Sequence, residues 1–205
     1  MWIVLVIMLV LALSSQAIEA ALEAGQLACP ACAGRLSPCG YARSREVRLH
    51  DQTRTLTPRR ASCPACERTH VLCPAWTVPR CRDGAEVIGA AIALAADRVG
   101  HRRIASKLGR PEGTVRGWLR AARARAQLLR AVATRQLVAL DPEPGAVTPA
   151  SCAFGDAVEA IMLAVRAWRL RFGPDRAGPW ERAVCLTDGL LLPGSARLAR
   201  WPAPG

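Results

Sequence analysis

The sequence predicts a mainly α-helical fold carrying a small β ribbon, with a helix-turn-helix in mid-chain and a further helix and hairpin at the end. Three observations predict it. The tetrapeptide Cys-Pro-Ala-Cys occurs at residues 29–32 and again at 63–66, with a loosely alternating segment between. Residues 83–140 keep an apolar period near 3.6, interrupted once by Gly109-Arg110-Pro111. The net charge of +12 is gathered into two segments rather than spread.

The chain has 205 residues, of which 51% are hydrophobic, 4% aromatic and 21% charged. That is apolar enough to fold, so wholesale disorder is excluded. The length suits one ordinary domain, or two small ones and a tail. Lys107 is the only lysine among 28 basic residues, so arginine carries the charge. Residues 29–60 and 101–135 hold essentially all the excess, the second with nine arginines and Lys107 against Glu112 alone. Bulk composition does not explain that concentration. A polyanion-binding footprint does, with nucleic acid first and anionic membrane second.

Residues 1–26 read as an apolar strand and a short helix, or as a leader. The run over residues 1–13 is shorter than the roughly 17–25 residues a membrane-spanning helix needs. Ser15-Gln16-Ala17 loosely resembles a signal-peptide cleavage site, but no basic residue precedes Arg35. Ile3, Val4, Val6, Ile7 and Val10 are β-branched, which favours a buried strand. Ser15 then caps a helix over residues 16–24 that turns Ile18, Ala21 and Leu22 to one side, with Gly25 as its stop.

Residues 27–82 read as a zinc ribbon. A Cys-x-x-Cys turn aims two thiolates at one ion, and two such turns close a tetrahedral structural site of Cys29, Cys32, Cys63 and Cys66 around Zn2+. The segment from Tyr41 to Leu49, a turn at Asp51-Gln52, and a return from Thr53 supply the hairpin. So small a piece lacks the core to fold alone, so the metal would supply much of its stability. Disulfides or inert thiols are the competing readings. Cys39, Cys73, Cys81 and His70 lie near enough to replace a ligand, whereas Cys152 and Cys185 read as small buried side chains.

Residues 83–140 carry the helix-turn-helix and a following helix. Asp83-Gly84 opens a helix with Val87, Ile88, Ala91, Ile92, Ala95 and Val99 on one face, ending at Gly100. Ala105 lets two helices cross closely, and Gly109 supplies the positive φ of the turn. Ile104, Leu108, Val115 and Trp118 fill the space between them. In such a unit the second helix enters the major groove of duplex DNA. Glu112, Thr114, Arg116, Arg120 and Arg123 then face bases or backbone, and Arg102, Arg103 and Lys107 on the preceding helix face phosphates. Arg43, Arg45, Arg48, Arg59 and Arg60 of the ribbon add phosphate contacts.

Residues 141–155 form a linker rich in helix breakers. In residues 156–205 a helix runs from Asp156 to Phe172, with Val158, Ile161, Met162, Val165, Trp168 and Leu170 or Phe172 as its apolar side. A hairpin follows, with Val184-Cys185-Leu186-Thr187 opposite Leu190-Leu191-Leu192. The late acids sit on a linker, a helix and turns, with too few strands for a metal-dependent transferase core. No Walker loop, Gly-x-Ser-x-Gly or His-Glu-x-x-His is present, so no catalytic centre is expected.

The run Ile104-Ala105 … Leu108-Gly109 … Thr114-Val115 … Trp118 resembles the helix-turn-helix of homeodomain-like bacterial regulators and transposase amino-terminal domains. Pro111 stands where a serine cap is usual, and Gly113 and Gly117 depart from a strong recognition helix. Leu27-x-Cys-Pro-x-Cys-x-Gly, Pro58-Arg59-Arg60-Ala61-x-Cys-Pro-x-Cys-x-x-Thr69-His70-Val71-Leu72 and Gly100-His101-Arg102-Arg103 extend the resemblance to actinobacterial zinc-ribbon plus helix-turn-helix proteins linked with insertion elements. That resemblance implies an insertion-element accessory protein or transcriptional regulator. Its partner would be double-stranded DNA, with a transposase or a second copy as protein partners, and its place the cytoplasmic nucleoid. Two readings compete: a regulator tethered to membrane through residues 1–13, and an adaptor whose basic helices bind a transposase or RNA.

Overall fold

The computed structural model describes residues 6–11, 14–144, 149–150, 152–173, 176–187 and 189–192. Its class is mixed α/β rather than mainly α, because the apolar start joins the ribbon as a sheet strand. β1 (Val6–Leu11) lies parallel to β6 (Thr69–Pro74), with Leu9 opposite Leu72. β6 pairs antiparallel with β5 (Arg59–Ser62), and β5 pairs antiparallel with β2 (Ser37–Tyr41), giving the order β1-β6-β5-β2. β3 (Arg45–Arg48) and β4 (Thr53–Leu56) form a separate antiparallel hairpin. The rest of the 1–13 run lies outside the described residues.

Between β1 and the ribbon sits α1 (Ser15–Glu23), capped one residue earlier than expected by Ser14, whose hydroxyl accepts from the Ala17 N–H at 3.1 Å. It buries Ile18, Ala21 and Leu22 against the sheet, in one core with Leu9, Leu27, Leu36, Ala61, Leu72, Cys29 and Cys63. The Arg59 Nε lies 3.1 Å from the Glu19 carboxylate and ties α1 to β5.

The second half is helical. α2 (Ala85–Ala96) ends at the Asp97 cap, short of Gly100. α3 (His101–Leu108) and α4 (Glu112–Ala124) are joined by the turn Gly109-Arg110-Pro111, with Gly109 left-handed at φ 60°. A break at Arg125 starts α5 (Ala126–Leu140), so the run after Ala121 is two helices and not one. α6 (Ala153–Phe172) packs along α5. It begins three residues earlier than expected, where the Cys152 sulfur accepts from the Gly155 N–H at 3.4 Å. Leu170 and Phe172 are exposed, so the apolar side of α6 ends before them.

The predicted terminal hairpin is absent among the described residues. Val184, Cys185 and Leu186 belong to α7 (Pro179–Leu186). Two tertiary contacts decide this. The Glu86 Oε1 accepts from the backbone N–H groups of Trp180 at 2.8 Å and Glu181 at 3.1 Å, capping α7 from α2. The Trp180 indole fills a notch over Gly89 that any Cβ there would overlap. Asp188 lies outside the described residues, while Leu191 and Leu192 are buried in the main core with α2–α7, Cys73, Ala75 and Val78.

Candidate metal centre and basic helical face

The two cysteine tetrapeptides fold into the same local shape. In the first, the Ala33 N–H donates to the Cys29 carbonyl at 2.8 Å and the Cys29 N–H to the Gly34 carbonyl at 2.7 Å. In the second, Glu67 donates to Cys63 at 2.8 Å and the Cys63 N–H to Arg68 at 2.9 Å. The residue after each pair, Ala33 or Glu67, holds φ near +60°, an uncommon state for a non-glycine. One turn lies between α1 and β2, the other between β5 and β6, so the sheet register brings them face to face.

The sulfurs of Cys29, Cys32, Cys63 and Cys66 all lie within 4.8 Å of one another. Cys29 and Cys66 are 3.7 Å apart, Cys32 and Cys63 3.4 Å. Thiolates about 2.3 Å from one tetrahedral ion sit about 3.8 Å apart along each edge, so the set fits a metal such as Zn2+. All nine cysteines are free thiols in the structure.

Burial raises the Cys29 thiol, while the Ala31 and Cys32 N–H groups pull the other way. Burial also acts to raise Cys63, but the Cys32 thiol and the Cys66 and Ala65 N–H groups outweigh it and bring Cys63 to about 7. The Gly34 N–H favours the Cys32 thiolate, yet the facing sulfurs of Cys63 and Cys66 push it to about 12. With no ion to neutralise them, four thiols at this spacing share their protons unequally, and a divalent cation would replace those protons.

His70 is not part of the cluster. It is fully buried, and its Nε2 lies 3.4 Å from the Cys29 sulfur, where it can donate to a thiolate. Its Nδ1 is buried with no hydrogen-bond partner among the described residues. Cys73 and Cys81 stand apart from the set, each held up to about 11 chiefly by burial, and Cys39 is exposed. Cys185 is buried as expected, whereas Cys152 is exposed at the start of α6. Gly34, the last position of the Leu27-x-Cys-Pro-x-Cys-x-Gly run, gains a physical role in the structure. A Cβ there would come within 3.0 Å of the Ala65 Cβ, 3.1 Å of the Cys63 sulfur and 3.3 Å of the Cys32 sulfur, so a side chain would press on both turns.

The predicted helical residues, except Thr114, are exposed on α3 and α4. α4 buries Val115, Trp118, Leu119 and Ala122, while Glu112, Gly113, Arg116, Arg120 and Arg123 are exposed and Thr114 is half-buried. Arg102, Arg103 and Lys107 are exposed on α3. Arg102 and Glu112 meet at 3.5 Å, bridging the two helices in solvent. The Arg123 guanidinium lies 5.4 Å from the Phe154 ring centroid of α6. Among the described residues, Arg116 and Arg120 have no ion-pair partner.

The ribbon arginines behave differently from expectation. Arg48 is paired with Asp83 at 2.7 Å, Arg59 with Glu19, and Arg45 turns its Nε and Nη2 into the interior. Only Arg43 of the five is fully exposed, with Arg60 half-buried. Asp83, 2% exposed, also takes the Arg110 Nε at 2.6 Å. No spacing rule links residues 48, 83 and 110, so the sequence held no signal for this triad.

Residues 29–118 match the family model of a domain of unknown function (DUF6431). The span starts at the first clustered cysteine and stops at Trp118 of α4, so it holds the four thiols, the Arg48–Asp83–Arg110 triad and the α3–α4 turn. It covers rather less than half of the chain. No curated protein and no solved structure matches. Among the described residues, no helix is long and apolar enough to cross a membrane.

Proposed function

We propose that the chain is a non-enzymatic, sequence-specific double-stranded DNA-binding protein. Its α3–α4 pair acts as a helix-turn-helix, and its four thiolates hold a structural Zn2+. The observation that carries this reading is α4 itself. One side is locked into the core through Val115, Trp118 and Leu119, while the other presents Arg116 and Arg120 to solvent with no ion-pair partner among the described residues. A helix so held can enter a major groove, where arginine grips guanine O6 and N7. Arg103 and Lys107 on α3 suit phosphates of the flanking strand. The cluster of Cys29, Cys32, Cys63 and Cys66 supports zinc by its sulfur spacing and by closing all four positions to protein ligands. Such a protein serves as a transcriptional regulator or as an accessory protein of an insertion element.

The test is selection of bound duplexes from a random pool, with metal analysis of the purified protein. One zinc per chain and a recurrent selected site are expected. Arg116→Ala should relax base preference, whereas Arg103→Ala should lower affinity and the salt slope at unchanged preference. Equal loss of preference in both variants would refute the assignment, as would indifference to duplexes at low salt. Tight binding to single-stranded RNA alone would favour the adaptor reading.

A further inference from the structure

Arg48 is engaged by the buried Asp83 carboxylate and Arg59 by the half-buried Glu19, so another part of the ribbon is a better placed nucleic-acid contact. The β3–β4 hairpin is the candidate, because its loop end is fastened beside the start of α4. The Leu49 carbonyl accepts from Arg110 Nη2 at 2.7 Å, and Arg110 stands two residues before the first residue of α4. Arg110 Nε and Arg48 Nη2 both reach the buried Asp83 carboxylate. The backbone joins in: the Arg48 N–H donates to the Arg82 carbonyl at 2.7 Å, and the Gly84 N–H to the Arg48 carbonyl at 2.9 Å. Five bonds thus tie one end of the hairpin to the segment that opens α2 and the turn that opens α4. Beyond Leu49, whose N–H donates to the Gln52 carbonyl at 2.7 Å, His50, Asp51, Gln52, Thr53 and Arg54 are all exposed, and the Arg54 guanidinium lies 4.9 Å from the Trp76 ring centroid.

We propose that this hairpin is a second duplex-contacting element. With α4 in the major groove, the His50-Asp51-Gln52 loop rests on the sugar–phosphate strand that borders the adjacent minor groove. The proposal rests on the reading of α4 as the groove-entering helix. A helix entering a groove about 12 Å wide by its N-terminal end has the flanking phosphates beside that end. A loop held one arginine side chain away, on a buried ion triad, falls over those phosphates without further ordering. His50 and Gln52 supply hydrogen-bond donors for phosphate oxygens. Asp51 opposes them and makes the placement measurable by charge.

The experiment uses the full zinc-loaded chain and its selected duplex, over a series of salt concentrations. Asp51→Lys is compared with Glu23→Lys, which makes the same charge change on α1, packed across the sheet from the helices. Asp51→Lys should tighten binding several-fold more than Glu23→Lys and steepen the log–log salt dependence by about one. Gln52→Glu should weaken binding about three- to tenfold and shorten hydroxyl-radical protection at one end of the site. The proposal is overturned if both loop variants match wild type, or if Asp51→Lys only equals Glu23→Lys. Arg116-dependent base preference in those same proteins would then leave the α4 reading standing alone. A chain that ignores duplexes altogether overturns both.

Discussion

Gly34 and His70 show how single residues set the metal centre. At Gly34 a methyl group would press on Ala65 and on the Cys32 and Cys63 sulfurs, so Gly34→Ala requires the facing turn to shift by a few tenths of an ångström. We expect it to cost about 1–3 kcal/mol of stability in the metal-loaded form and to speed metal loss to a chelator. His70 holds Cys29 from inside the core, and His70→Ala should lower metal affinity about ten- to a hundredfold while leaving four sulfur ligands by X-ray absorption. Glu181 offers a pH test. Burial, and then the Glu86 carboxylate nearby, raise its pKa above the usual glutamate value. A raised acid favours the folded state only while protonated, so the penalty is absent in acid and grows as pH rises past the ordinary carboxylate range. Glu181→Gln should therefore raise Tm at neutral pH, with the gain vanishing in acid.

At the level of elements, local chemistry was legible wherever it decided the outcome. The Gly109 turn, the apolar faces of α2 and α4, and the paired Cys-Pro-Ala-Cys turns could be read because spacing and residue type suffice to form them. α7 was misread as a strand because Val184, Cys185 and Thr187 suit one by propensity. Its helical state comes from Glu86 and from Trp180 seated over Gly89, partners about ninety residues away that no local window contains. The pairing of Arg48 with Asp83 and of Arg59 with Glu19 is illegible for the same reason. Within α4, Gly113 and Gly117 have open space where a Cβ would stand. Replacing each with alanine should stabilise the protein by about 1 kcal/mol in thermal unfolding. If α4 lies close against a groove floor, Gly113→Ala should at the same time weaken duplex binding.

For the whole molecule, the ribbon and the helices are one mechanical unit through Asp83. Its carboxylate is buried between Arg48 and Arg110, and removing one partner of such a group costs about 3–5 kcal/mol. Stripping the metal should therefore loosen the turn before α4 as well as the ribbon. Hydrogen exchange in the apo protein should accelerate at Arg110 and in the first turn of α4; protection unchanged there would show that the two halves fold independently. The fold's mixed class follows from the same long-range economy: β1, whose sequence also admits a leader, is recruited by a sheet whose other strands lie far along the chain.

That parallel pairing of β1 with β6 has a consequence for biosynthesis. When Leu9 and Leu11 leave the ribosome, the strand they must lie against is still some sixty residues from being made. A greasy, unpaired edge is thus displayed throughout translation of the cysteine-rich segment, and a holding chaperone or slow elongation there should govern how much protein is recovered undamaged.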